Sequence, residues 1–277
     1  MPWAAIVSAL DRNESFRSRV SVYQHPLAGR PIVWHVVRAL LDTTPAPREV
    51  RVLYRAGSPI TIGPEIPEVR YESVGDGDEA RALRVAVTSP GLKLLVDGAA
   101  ALLTPPTIAR LMRAGEAGVA ALQADGPDHE PRVAVAGEGP ALASGDDPRH
   151  PHGATRVVAN GPLESLRVGD RHGLSTAATA IRDRLIRRHE AAGVSFLLPD
   201  TSWVDVDVRI GSDTIVYPGA VFEGATDIGS ECVIGPYTRI VEATVGRGAE
   251  LKGWNYVSRV SVRNHAVLEP YERRGLD

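Results

Sequence analysis

"VDVDVRIGSDTIVYPGAVFEGATDIGSECVIGPYTRIVEATVGRGAEL", Val204 to Leu251, places an aliphatic or aromatic residue at every sixth position: Val204, Ile210, Val216, Phe222, Ile228, Ile234 and Ile240. Glycine often follows, as in IGSDTI, IGSECV and IGPYTR. After a one-residue shortening the series runs on through Val245, Leu251, Val257, Val262 and Leu268. A six-residue period with one inward residue per repeat, small residues at tight corners and polar residues outside predicts a parallel β-helix. Each hexad forms one side of a three-sided coil, so twelve hexads make about four coils. Ordinary short antiparallel strands would not keep so regular a spacing. A β-helix of this length has open ends and flat faces, and it is expected to be capped or to self-associate.

Ahead of the repeat, Ser175 can cap a helix "TAATAIRDRLIRRHEAA" whose basic last turns suit the helix dipole, with Gly193 placed to end it. Residues Asp125 to Pro162 are dense in Gly, Pro, Asp and His and read as irregular and exposed. Earlier still, β-type runs alternate with helical periods. The predicted strands are "WAAIVSAL" from Trp3, Glu49–Arg55, Glu68–Val74, Lys93–Ala99, Gly118–Ala124 and Arg132–Gly137. Ile32, Val33, Val36, Val37 and Leu40 share one helix face, and "TPPTIARLMRAGEAG" starts with Thr104 as N-cap and Pro105 at the first helical position. Alternation of this kind predicts a mainly parallel sheet with helices on both faces, binding its ligands beyond the carboxyl ends of the strands. The expected organisation is an α/β domain over residues 1–170, a linking helix over 171–193 and a β-helix over 194–277.

The chain has 277 residues, 43% of them hydrophobic, enough for one large or two modest cores. A net charge of −3 offers no basic footprint for nucleic acid or an anionic membrane. Small molecules or protein partners are favoured instead. Cys232 is the single cysteine, which excludes an intrachain disulfide and a cysteine-based zinc cluster; inside the repeat it reads as a small core residue. The start, "MPWAAIVSALDRNE", has too short an apolar run for a spanning helix and no basic leader, so a cytoplasmic location is expected.

Between the first strand and first helix lies "SALDRNESFRSRVSVYQHPLAGRP", Ser8 to Pro31, in the position where α/β domains usually hold phosphates, yet it contains no glycine before Gly29. Together with "LAGRPIVWHVVRAL", "LLVDGAAALLTPPTIARLM" and the stretch from "RLIRRHEAAGVSFLLPD" through the repeat, this order of parts resembles the bifunctional N-acetylglucosamine-1-phosphate uridylyltransferase/glucosamine-1-phosphate acetyltransferase family. The resemblance implies a Rossmann-like nucleotidyltransferase domain, a linking helix and a left-handed parallel β-helix assembled as a homotrimer.

The family opens with Leu-Ala-Ala-Gly-x-Gly-Thr-Arg-Met and has Pro-Lys shortly before the Leu-Ala-Gly turn. Aligned on Leu27-Ala28-Gly29, the degenerate nucleotide-site positions are Ala9, Asp11 and Asn13 in the first loop, with Asp11 and Asn13 replacing the two glycines. Ser15 takes the arginine position and Val22 the lysine position. Acidic side chains at Asp11 and Glu14 are expected to repel a triphosphate. Gly75 and Gly77 survive in "GDGDEA", which corresponds to the base-reading Gly-Thr-Gly-His-Ala but adds three acids. The aspartate that binds magnesium in the family aligns with Ala99, and the second ligand aligns with Gly169; Asp97 and Asp170 are neighbouring oxygen donors that could substitute. The sugar-binding stretch is shortened between "VVANGPLESL" and "RVGDRHGL", and the family's acetyl-transfer residues lie in coils later than those present here.

The resemblance therefore implies a fold without its chemistry: no cofactor, and a role as an oligomeric scaffold, a subunit for a partner such as an intact homologue, or a ligand sensor. An alternative is an active uridylyl- or cytidylyl-type nucleotidyltransferase with rewired Mg²⁺ ligands, because "VDGAAALLT" also resembles the Asp-Ala-Ala-Arg-Pro-Leu-Thr strand end of the methylerythritol-phosphate cytidylyltransferases, with Asp97 as ligand. A third reading gathers Asp146, Asp147, His150 and His152 of "SGDDPRHPHG" around a metal; a solvated loop explains the same residues. His265 reads as a corner residue of the β-helix.

Overall fold

The computed structural model describes residues 2–12, 14–62, 66–122, 133–144, 147–151, 153–161 and 163–275. The chain divides into two compact units, Met1–Ala177 and Ala178–Asp277, with the boundary inside a helix.

The first unit is built on a seven-stranded sheet. Its strands are β1 (Trp3–Ala9), β2 (Glu49–Arg55), β3 (Val69–Val74), β4 (Leu92–Asp97), β5 (Ala120–Leu122), β6 (Ala134–Glu138) and β7 (Thr155–Val157), in the order β3-β2-β1-β4-β6-β5-β7. All neighbours run parallel except β6, which is antiparallel to both β4 and β5. The central strands β1 and β4 are apolar along nearly their whole length and buried on both faces, as a helix-covered parallel sheet requires. Three helices supply that cover: α1 (Ile32–Leu41), α2 (Glu79–Thr88) and α3 (Pro105–Gly115). On α1 the predicted face of Ile32, Val33, Val36, Val37 and Leu40 is entirely buried.

Two details depart from expectation. The segment Asp125–Pro162 is not all irregular surface: besides β6, which matches the predicted strand Arg132–Gly137 and lies inside the sheet with Ala134–Gly137 buried, it holds β7, which closes the sheet edge against β5. Thr104 precedes α3 as foreseen, but its side chain does not cap the helix. Instead its N–H and its hydroxyl both donate to Oε2 of the buried Glu164, at 3.1 and 2.7 Å, so a carboxylate from a distant segment serves the helix start.

After a short helix α4 (Gly139–Leu142), α5 spans Arg171–Ala191 and starts five residues earlier than the Ser175 cap would place it. Asp170 is the capping residue: its Oδ1 accepts from the Gly173 N–H at 2.7 Å. Gly193 ends α5 as predicted. At φ 92° its N–H reaches the Glu190 carbonyl at 3.0 Å while Val194 N–H reaches His189 O at 3.1 Å, a Schellman closure.

The second unit stacks short parallel strands into three sheets. Val204 pairs with Phe222 and Phe222 with Ile240; Ile210 pairs with Ile228, and Val216 with Ile234. Past Ile240 each turn shortens by one residue, so that Ile240 meets Val257, Ile228 meets Val245 and Val245 meets Val262. All twelve hexad residues are buried, and the stack takes in one further rung at Phe196. The predicted small residues do not account for every corner. Tyr237, Trp254 and Tyr271, at φ 53°, 52° and 65°, form one column of left-handed corners, and Glu242 and Arg259 sit in another. Stacked rings and ion pairs offset the cost of about 1–2 kcal/mol that a non-glycine residue meets there. Tyr237 and Tyr271 each stack on Trp254, and Arg259 pairs with Glu242 at 2.8 Å. His265, at φ 55°, is an exposed corner residue as expected.

Candidate functional site

The chain passes from β1 outward to β2 and β3, then returns to place β4 on the other side of β1. The strand order reverses between β1 and β4, so the ligand crevice of such a sheet lies beyond their carboxyl ends, where Ser8 pairs with Asp97. Gly98 follows directly, with its N–H on the Ser8 carbonyl at 2.8 Å. A Cβ there would stand 3.1 Å from the Tyr23 ring and 3.2 Å from Ser8 O, so a larger residue would have to shift the ring or the loop by a few tenths of an ångström. Tyr23 is 1% exposed and fills the space over the strand ends, while its hydroxyl accepts the Asp11 N–H at 3.3 Å.

The remaining loop positions are engaged in packing. Ala9 is the buried last residue of β1, and Val22, at the lysine position, is core. Ser15, at the arginine position, donates to Gly169 O at 2.9 Å. Phe16 is buried with the His25 ring at 4.4 Å and the Arg171 guanidinium at 4.5 Å. Burial, and then Arg171, hold His25 below its ordinary pKa. Asn13 lies outside the described residues.

Three arginines organise the acids. Arg55 binds Asp76 and Glu79 and also donates to Leu10 O at 3.4 Å, fastening the loop that carries Gly75 and Gly77 (φ 86°) to the end of β1. Arg149 bridges Asp147 at 2.7 Å and Asp11 at 3.2 Å. Arg167 joins Asp11 to Asp97, its Nε lying 2.7 Å from Asp97 Oδ2. The other Asp97 oxygen accepts the Ala99 N–H at 2.8 Å. With its side chain 11% exposed, burial pushes the Asp97 carboxyl up, and the Arg167 guanidinium opposes that by favouring the charged form. Burial works against the charge on Arg167, but Asp97, Tyr23 and Asp11 outweigh it and raise its pKa. Asp147 is likewise buried in part, and Arg149 keeps its carboxyl below the usual value.

The expectation of bare repulsion at Asp11 therefore needs correcting: two guanidinium groups neutralise this carboxylate. The negative charge is spent inside the protein.

Magnesium needs several oxygens free to turn toward one point. Both oxygens of Asp97 are held by Ala99 and Arg167, and Asp170 Oδ1 is held by the α5 N-terminus. The two substitute ligands do not fit a Mg²⁺ site as they stand. Among the described residues no group of three His, Cys, Asp or Glu side chains could hold a metal. Of the third reading, Asp147 serves Arg149, with His150 Nδ1 3.6 Å from it; Asp146 and His152 lie outside the described residues. Cys232 is buried, its thiol pushed up by burial, as a core residue should be.

Sequence reasoning missed Arg55, Arg149 and Arg167. Their signal was indirect: acids introduced beside a sheet end must find cations if they are to be buried at all.

No protein-family model matches the chain. It is similar to the bifunctional protein GlmU of Bacillus velezensis, 39% identical over 108 residues, which cover 39% of this chain and 24% of that protein. It is also similar to GlmU of Mycolicibacterium smegmatis, 45% identical over 84 residues, covering 30% of this chain and 17% of that protein. The matched stretches thus span about a quarter or less of these relatives' length. Among solved structures, a homologue of Mycobacterium tuberculosis Rv0371c from Mycobacterium sp. strain JC1 superposes with a TM-score of 0.51 at 14% identity, over 66% of this chain and 98% of that one. A nucleotidyl transferase from Methanothermobacter superposes with a TM-score of 0.50 at 19% identity, over 68% and 99%. The chain is thus similar over part of its length to the GlmU proteins, and its first unit has the nucleotidyltransferase fold.

Proposed function

We propose that this protein has lost both uridylyltransferase and acetyltransferase chemistry and works in the cytoplasm, without a metal cofactor, as an oligomeric scaffold, a partner subunit or a ligand sensor. The observation that carries this reading is the closed ion network at the strand ends. Asp11, at a glycine position of the nucleotide loop, is held by Arg149 and Arg167, and Arg167 also holds Asp97. Phosphoryl-type transfer rests on positioning and on cations aimed at developing charge. Here the cations already have internal partners, and the lysine position is the buried Val22.

Support for an oligomer comes from the sheet that begins at Ser195–Phe196, whose outward side and flanks leave Leu197, Leu198, Ile215, Tyr217 and Val267 exposed. Such a face suits the homotrimer that the hexapeptide repeats imply.

Calorimetry with UTP, CTP and UDP-N-acetylglucosamine in the presence of Mg²⁺ tests the reading. No binding at millimolar ligand is expected. Mg²⁺-dependent binding, or pyrophosphate release with any of a panel of sugar phosphates, would overturn it in favour of an active nucleotidyltransferase with rewired ligands.

A further inference from the structure

We propose that the Arg167 guanidinium is the built-in cation of this site, standing between the Asp11 and Asp97 carboxylates where a hard divalent cation would otherwise be drawn. The geometry is that of a bridging ion. One edge of the guanidinium meets Asp97 Oδ2 through Nε at 2.7 Å, and Nη2 meets Asp11 Oδ2. The two carboxylates come from different segments, one ending β4 and one following β1, and they converge on this one group. Neighbouring backbone holds the arrangement in register: Val168 N–H donates to Ala99 O at 3.1 Å, so the segment carrying Arg167 is fixed against the loop that follows Asp97. Arg149 takes the remaining Asp11 oxygen at 3.2 Å and stays bound to Asp147.

A planar fork of donors matches carboxylates in a way a spherical ion does not, and it cannot dissociate from its own chain. Whereas a divalent metal leaves open positions for substrate oxygens, the guanidinium meets Asp97 through Nε and Asp11 through Nη2 and offers no coordination position. The site thereby gains a fixed cation and loses a Lewis acid. This deepens the reading of a non-catalytic site, yet it can fail separately: wild-type protein that binds no nucleotide could still bind metal at Asp97.

The test removes the fork and asks whether metal replaces it. Free Mn²⁺, followed by electron paramagnetic resonance, should be unaffected by wild-type protein at 1 mM metal. Arg167→Met should take up one Mn²⁺ at least tenfold more tightly than wild type, with displacement by Mg²⁺. Adding Asp97→Asn to Arg167→Met should abolish the uptake, and Arg167→Lys, which keeps the charge, should not gain it. The proposal is overturned by wild-type uptake that Asp97→Asn removes, or by a cooperatively melting Arg167→Met that binds no Mn²⁺. Should that variant not fold, the wild type decides. In ¹⁵N-arginine-labelled protein the Arg167 Nε signal should shift in Asp97→Asn and remain sharp on addition of Mn²⁺, whereas selective broadening would count against the proposal.

Discussion

Asp11 shows how one substitution changes a site twice. Placing a carboxylate where the family has glycine fills the space for backbone approach to a phosphate and also recruits the arginines that other ligands would need. The sequence displays the acid plainly, but not its partners, because Arg149 and Arg167 lie far along the chain and no local pattern links them to Asp11. Another residue-level consequence concerns His189, in the last turn of α5. It is 5% exposed, its Nε2 has no hydrogen-bond partner, and burial, followed by Arg188, lowers its pKa to about 4. The unfolded chain binds a proton near pH 6.5 that the folded chain refuses until about pH 4. Its contribution is thus complete above pH 6.5 and declines as pH falls toward 4. Urea unfolding at pH 7 and pH 4 should show wild type losing about 3 kcal/mol more than His189→Phe across that interval. Equal losses in the two proteins would remove His189 as the cause.

At the scale of elements, the β-helix was legible because one inward residue per hexad repeats a signal that no other backbone arrangement uses. Each of those residues is buried, from Val204 to Leu268. The sheet of the first unit was nearly as readable where strands are long and apolar: Glu49–Arg55 matches β2 residue for residue. β7 escaped notice because a three-residue edge strand with only Val157 buried carries no alternation to detect. The left-handed corners escaped for a different reason. Tyr237, Trp254 and Tyr271 violate the usual preference for small residues there, and only their mutual stacking between coils explains them. Because successive coils share one apolar interior, a cavity in one rung should weaken its neighbours. Phe222 is fully buried between Val204 and Ile240. Phe222→Ala should cost about 3–5 kcal/mol in urea unfolding. A cost under about 1 kcal/mol would show that the rungs are energetically independent of this side chain.

For the whole molecule, the decisive surface is the outer side of the sheet that runs from Ser195–Phe196 to Val267–Leu268. Ile215 and Val267 are outward residues of its strands, 37% and 52% exposed, and the Tyr237–Trp254–Tyr271 column follows at the adjoining corner. Scattered surface apolar residues need no explanation, but Ile215, half-buried Val233 and Val267 stand on one flat parallel sheet, with the exposed Glu250 between the last two, and a sheet face of this kind is poorly suited to water. Closed cyclic association covers such a face without leaving a copy that can add further chains. A chain of 29.6 kDa assembled as a trimer should scatter light as a particle of about 90 kDa, three times that mass. A trimer held mainly by Ile215, Val233 and Val267 should keep its mass in added salt up to about 0.5 M, where exposed ion pairs are strongly screened. Ile215→Lys combined with Val267→Lys places two ammonium groups on the face and should yield a particle of single-chain mass with an unaltered circular dichroism spectrum. Single-chain mass for the wild type would refute the trimer. A double variant that stays at three times the chain mass would move the contact to another face.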